Sequence, residues 1–199
     1  MADRAITAFF TAGKGYMGTK DIVDRPYFSD CRRFAELMNV ALYQGEDVLQ
    51  SENLVLLKRR YPSLSSPCGE LERDILIRDI VQNICYGLEI ETESDYSMPE
   101  RVITYDVCEY EYQMKEIDKE HREKRDYQCY RERKSRMKEK DNLLPTVTVV
   151  LYLGEGHWQG RRRLSQMFHM PAERRKSLGV NLYDYDFPLI EADYVRSEN

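Results

Sequence analysis

The seven residues 147–153, Val-Thr-Val-Val-Leu-Tyr-Leu, are the longest apolar run in the chain. A membrane-crossing helix needs about 20 apolar residues, so this run predicts no span. Its β-branched content and length predict a strand over 146–154 that is covered on both faces. A strand buried on both faces demands a layer on each side of its sheet. The expected fold class is therefore α/β, a mixed β-sheet flanked by helices.

Other segments supply those layers. In 29–44, Phe34, Leu37, Met38, Ala41 and Leu42 fall on one helical stripe, with Ser29 as the expected N-cap and Gly45 as the stop. "ERDILIRDI" (72–80) and "NICYGLEIE" (83–91) predict two strands whose short gap predicts a hairpin. "SMPE" (97–100) has the spacing of a capping box with proline in the first turn. The helix it opens carries apolar residues at 103, 107, 110, 114 and 117, one expected buried stripe. A short helix is expected at "RRLSQMFH" and a last strand at 179–187. The expected organisation is a lead-in over 1–20, then one domain over 21–199 with a charged helical or connecting segment at about 115–141.

The 199 residues carry a net charge of −5, unevenly spread. Residues 115–140 sum to +4 and 161–176 to +5, so the other segments sum to −14. Local field, not net charge, decides whether phosphates bind. Arg131, Arg133, Lys134, Arg136, Arg161, Arg162 and Arg163 are thus candidates for DNA contact; a solvated helix face or connector is the alternative. Five cysteines without close spacing, and no export signal, predict reduced thiols, no zinc site and a cytoplasmic location. Trp158 is expected as a packing anchor and His157 as a surface residue.

The acidic residues hold the chemistry. Alternation along a strand puts Glu89 and Glu91 on one face. An antiparallel partner at 72–80 brings Asp74 towards Glu89. Carboxylates on adjacent strands make a hard-oxygen site for Mg2+ or Mn2+. Carboxylates marking only where a strand leaves the core are the other reading.

Four blocks carry a family likeness. "MGTKDIVDRPYFSDCRRFAELMNVALYQGEDVLQSENL" (17–54) contains an F-A-(D/E)-L-x-N helix. "ERDIL" (72–76) fits an R-D-V-L segment. "GLEIETESDYSMPERVITYDVCEYEYQM" (87–114) follows G-I-E-N-Q-T…Y-x-M-P-x-R…Y-D. "NLLPTVTVVLYLGEGHWQGRRRLSQMF" (142–168) follows L-I-P-V-I-T-L-V-I-Y-x-G…W-x-G-P. The chain resembles the bacterial PD-(D/E)XK nuclease family transposases, also called recombination-promoting nucleases. The resemblance implies a nuclease core around a mixed sheet and Mg2+-dependent cleavage of DNA. It implies Asp74 and Glu89 as metal ligands and catalytic residues, with Glu36 and Gln113 at further family positions. The chain departs from the pattern in Glu91, where the family has Gln or Lys, in Ile90 for Asn and in Arg162 for Pro. The sequence stops near Asn199, soon after the last expected core strand, whereas the resemblance implies a continuation into a further helical region. Glu91 is either an added ligand or a charge that keeps phosphate away.

Two functions are therefore expected to compete. One is a metal-dependent endonuclease with Asp74, Glu89 and Glu91 at its centre. The other keeps the nuclease fold without turnover and binds DNA or a protein partner, for example as a phage-type inhibitor of a host defence nuclease. A structural subunit with no nucleic acid ranks below both. No membrane partner is expected, and a homodimer stays open.

Overall fold

A computed structural model of the chain describes residues 24–58, 61–62, 70–177 and 184–192. The expected lead-in over 1–20, most of the loop at 61–69 and the start of the expected last strand lie outside these residues.

Five strands form one mixed sheet in the order β1-β4-β5-β6-β7. They are β1 (Leu54–Leu56), β4 (Ile75–Asp79), β5 (Ile84–Glu91), β6 (Thr146–Tyr152) and β7 (Leu189–Glu191). Strands β1, β4 and β5 pair antiparallel, while β6 and β7 join parallel. A two-stranded ribbon, β2 (Tyr61–Pro62) with β3 (Glu70–Leu71), stands apart from it. In the described part of the expected last strand, 184–187, only Asp186 forms a bridge, to Arg163, and β7 begins at Leu189. "RRLSQMFH" folds as a 3-10 turn, Leu164–Met167.

Alternation on β5 and β6 sorts the two faces. Tyr86, Leu88, Ile90, Val149 and Leu151 join the larger core with Phe34, Leu37 and Met38. Those last three belong to helix α2 (Cys31–Tyr43), which follows the short helix α1 (Asp24–Phe28). Asp30, not Ser29, caps α2, because its carboxylate accepts from the Arg32 and Arg33 amides. The opposite face packs against helix α3 (Met98–Lys124), whose Met98 and Val102 join Val150, Tyr152, Trp158 and Phe187. Trp158 is 9% exposed, a packing anchor as expected.

The β4–β5 hairpin is built by two residues that form no familiar turn dipeptide. Asp79 accepts from the Val81 and Gln82 amides at 2.8 and 2.9 Å, and Asn83 adopts φ 57°. The register that follows pairs Ile75 with Leu88.

Helix α3 departs from the expected apolar stripe. Val107 is 54% exposed, while Tyr105, Asp106 and Glu109 are buried with Met98 and Val102. The buried face is partly ionic because it must answer charges on the sheet. Beyond α3, the chain makes an excursion through the six-residue helix α4 (Tyr130–Ser135) and returns along α3. His121 clasps it, with one ring nitrogen 2.8 Å from Asp126 and the other 2.8 Å from Asp141. Arg136 adds a forked pair to Glu111 at 2.9 and 3.0 Å. A last short helix, α5 (Ala172–Ser177), precedes β7. No helix among the described residues is long and apolar enough to cross a membrane.

Candidate functional site

Asp74 sits one residue before β4, where the strand enters the sheet. Its Oδ2 accepts from the Ile90 amide of β5 at 2.8 Å. Its Oδ1 accepts from Arg25 of α1, at 2.8 Å to Nε and 2.6 Å to Nη2. The hairpin thus places Asp74 against the stretch of β5 that carries Glu89 and Glu91.

Glu89 is 1% exposed and faces α3. Its Oε2 lies 3.4 Å from Arg101 Nη2. Its Oε1 has no hydrogen-bond partner among the described residues; the Arg73 Nε stands 3.7 Å away. Burial, followed by the Asp74 charge, pushes Glu89 up to about 8, against the pull of Arg73 and Arg101. The antiparallel register, with Ile75 opposite Leu88, sets Asp74 beside the next residue, Glu89. Glu91 is 8% exposed and takes the Arg101 Nη2 on its Oε1. Arg101 also donates to Asp95 at 3.0 Å.

Beneath Glu89 lies a buried ionic layer that sequence reading missed. Arg73, 4% exposed, donates to Asp106 at 2.6 Å and to the Thr148 hydroxyl. Asp106 also accepts from Thr148 at 2.7 Å and from the Tyr185 hydroxyl. Burial and the Asp106 bond hold the Tyr185 phenol well above its ordinary value. Gly87 makes room for this layer: a Cβ there would meet Thr148 Oγ1 at 2.8 Å and Arg73 Cζ at 2.9 Å. Asp106 and Glu109 lie off the apolar stripe at 103, 107, 110, 114 and 117, so the periodicity gave no signal of this layer.

The other expected site residues lie elsewhere. Glu36 is exposed on α2 and pairs with Arg32 at 3.6 Å. Its neighbours Ala35 and Leu37 are buried on the far face of the sheet, so the helix turns Glu36 to solvent. Gln113 staples α3 to the entry of β6: its Oε1 accepts from the Leu144 amide at 2.7 Å and its Nε2 donates to Glu109 at 3.3 Å. Twelve positions along α3 separate it from Arg101, about 18 Å of helix. Arg131, Arg133 and Lys134 are exposed on α4, whereas Arg136 is tied to Glu111. Arg161, Arg162 and Arg163 are exposed too; Arg161 donates to the Tyr96 carbonyl at 3.3 Å.

Two openings flank the carboxylates. A groove of about 570 Å³ beside Asp74 is lined by Arg25, Ser29, Lys58 and Glu72 among others. A hollow of about 460 Å³ beside Glu91 is lined by Glu93, Ser94, Asp95 and Tyr96. The first carries Arg25, Lys58 and Arg73 against Glu72 and Asp74, whereas the charged residues lining the second are all acids, which disfavour a phosphate.

The donor set fits a hard divalent ion in kind. Carboxylate oxygens suit Mg2+ or Mn2+, and the buried Glu89 Oε1 makes no hydrogen bond, although the Arg73 Nε, itself without one, forms an ion pair with it at 3.7 Å. The described residues gather no ready group of three His, Cys, Asp or Glu for a metal, since each carboxylate is turned to an arginine. Mg2+ is commonly held by one or two carboxylates with water completing its shell; Asp74 and Glu89 would be those two, with Arg25 and the Ile90 amide already on the Asp74 oxygens. No family model matches the chain, and no curated protein or solved structure matches it.

Proposed function

We propose that the chain is a Mg2+- or Mn2+-dependent endonuclease of the PD-(D/E)XK, recombination-promoting type, which hydrolyses phosphodiester bonds in DNA. The observation that carries this reading is the buried Glu89, whose Oε1 makes no hydrogen bond, on the strand beside Asp74, which lines a groove that also holds Arg25 and Lys58. Asp74 and Glu89 would hold the ion. When bound, such an ion lowers the pKa of a water and offsets charge on the phosphate. Lys58 draws the DNA backbone into the groove, Arg25 holds the Asp74 carboxylate in place, and the tied Arg73–Asp106 layer keeps Glu89 from shifting. Contacts of this kind are to phosphate and carry no sequence information.

Plasmid nicking with Mn2+ tests the reading. The unaltered protein converts supercoiled to open circles, and Asp74→Ala slows this by about 100-fold or more. Equal, negligible nicking by both proteins refutes it.

One observation favours a second reading. Arg25, Arg73 and Arg101 each already answer a carboxylate of the site. A nuclease-fold protein without turnover, which binds DNA or a protein such as a host defence nuclease, needs no ion there. Calorimetry with Mn2+ separates the two: heat of binding supports the enzyme, and its absence supports the binder.

A further inference from the structure

The excursion beyond α3 displays a helix that has no buried face. None of the six residues of α4 is buried. The flanking chain is fixed by charge instead: the His121 ring bonds Asp126 and Asp141, Lys138 reaches Asp126 at 2.7 Å and Arg136 forks onto Glu111. The two tyrosines of this segment differ accordingly. Tyr127 lies 5.1 Å from the His121 ring and donates its hydroxyl to Asp118 at 2.9 Å. Tyr130, the first residue of α4, is 75% exposed, more than any other exposed large apolar or aromatic side chain among the described residues. At helical spacing Arg133 and Lys134 share its face, and Arg131 follows it in the chain. All three are exposed, with no ion pair to a described residue. The one acid of α4, Glu132, is turned back to accept from the Gln128 amide at 2.7 Å. Arg131 and Lys134, three positions apart, are neighbours of like charge, which weakens a short helix. A ring held in water among uncompensated cations is therefore matched by an anion that also has a flat apolar face.

We propose that α4 is a platform for unpaired DNA: the Tyr130 ring stacks on a base, and Arg131, Arg133 and Lys134 take the phosphates on either side of it. The inference rests on DNA as the partner, as read above, and adds which form of DNA the excursion holds. Every base has a π-face, so stacking on an aromatic side chain tolerates any sequence. In a duplex those faces are covered by neighbouring bases, and the ring finds none. An acidic peptide answers the cations but gives the ring nothing to stack on. The ionic ties around α4 serve the same end, because a surface that is already fixed loses little freedom on binding.

The test is fluorescence anisotropy of the full chain with a labelled single strand of about 15 nucleotides and with its duplex, in EDTA so that neither is cut. Tyr130→Ala binds the single strand about tenfold more weakly and the duplex within about twofold of the unaltered protein. Tyr130→Trp stays within about threefold on the single strand, whereas Tyr130→Leu is as weak as Tyr130→Ala, because stacking and not apolar area is what the ring supplies. Arg131→Ala weakens both forms, since both carry phosphates. Tyr130 packs against no buried residue of its helix, so its variants melt at the Tm of the unaltered protein. A Tyr130→Ala protein that keeps its single-strand affinity, or loses affinity for both forms alike, overturns the inference. So does polyglutamate that displaces the single strand from the unaltered protein and not from Tyr130→Ala, which makes α4 a surface for acidic peptides. A chain that binds neither form of DNA removes the partner itself. The nuclease reading fails separately: single-strand binding that depends on Tyr130, without nicking of plasmid in Mn2+, upholds this inference and refutes only the enzyme.

Discussion

Glu89 concentrates the physics of this protein in one side chain. It is buried beside another carboxylate, and those two causes push it up to about 8. A carboxyl raised on folding binds its proton more tightly in the native state, so its favourable contribution is complete below the unfolded value of about 4.3. That contribution fades as pH rises and is gone above the folded value. Glu89→Gln cannot ionise. It is therefore expected to match the unaltered protein near pH 4 and to gain on it up to about pH 8, by about 2–4 kcal/mol. Urea melts across that range check it; a constant difference with pH contradicts the raised value. Arg73 belongs to the same scale. Its guanidinium is buried against Asp106 and Glu89, and an interior cation of this kind is tolerable only while its partners stay. None of this was visible in the letters, where Arg73 and Arg101 are two arginines among many. Their meaning comes from the carboxylates that the fold sets opposite them.

At the scale of elements, the start of α3 shows how a correct boundary arises from a different cause. Ser97 and Glu100 have capping-box spacing, and the helix does begin at Met98 with Pro99 in its first turn. Yet Ser97 makes no side-chain cap, and Glu100 accepts from Thr104 at 2.9 Å instead. Asp95 organises the turn: its Oδ1 accepts from the Ser97 amide and hydroxyl, both at 2.7 Å, and its Oδ2 from Arg101. Asp95→Ala is accordingly expected to cost about 1–2 kcal/mol and Ser97→Ala only a few tenths. Chemical denaturation of the two variants measures it, and a larger loss for Ser97→Ala would restore the capping box. The proline and the spacing were enough to place the helix. The side-chain partner was not legible, because Asp95 and Ser97 are equally good acceptors until the chain's path chooses one.

For the whole molecule, the sheet divides the work. One face is apolar, covered by α1 and α2, and supplies the larger core. The other carries Gly87, Glu89, Glu91 and Thr148 towards α3, and there charge is buried. The basic segments lie at the periphery: Arg131, Arg133 and Lys134 are exposed with no ion pair to a described residue, while Arg136 is spent on Glu111. If the molecule binds DNA through this excursion, replacing the first three by alanine lowers the slope of log affinity against log salt by about 1 per lost phosphate contact, close to 3 in all. Arg136→Ala leaves the slope unchanged. Fluorescence anisotropy at several salt concentrations reads both, and an unchanged slope for the triple variant removes the excursion from the DNA-binding surface.

The sequence by itself determined the three central strands, the two long helices and the α/β layering. A β-branched run at 146–152, a stripe on Phe34, Leu37 and Met38, and a two-strand pattern ending in Glu89 and Glu91 report local periodicity, which survives into any compact fold. It also brought Asp74 and Glu89 together, since a tight antiparallel hairpin leaves little choice of register. Only the tertiary structure decided which cation answers which carboxylate, that Glu36 faces solvent, that Gln113 is a staple and that α3 buries Asp106. Periodicity fixes the face on which a side chain stands. Ion pairs depend on what another segment, 49 residues away for Asp74 and 33 for Arg73, places against that face.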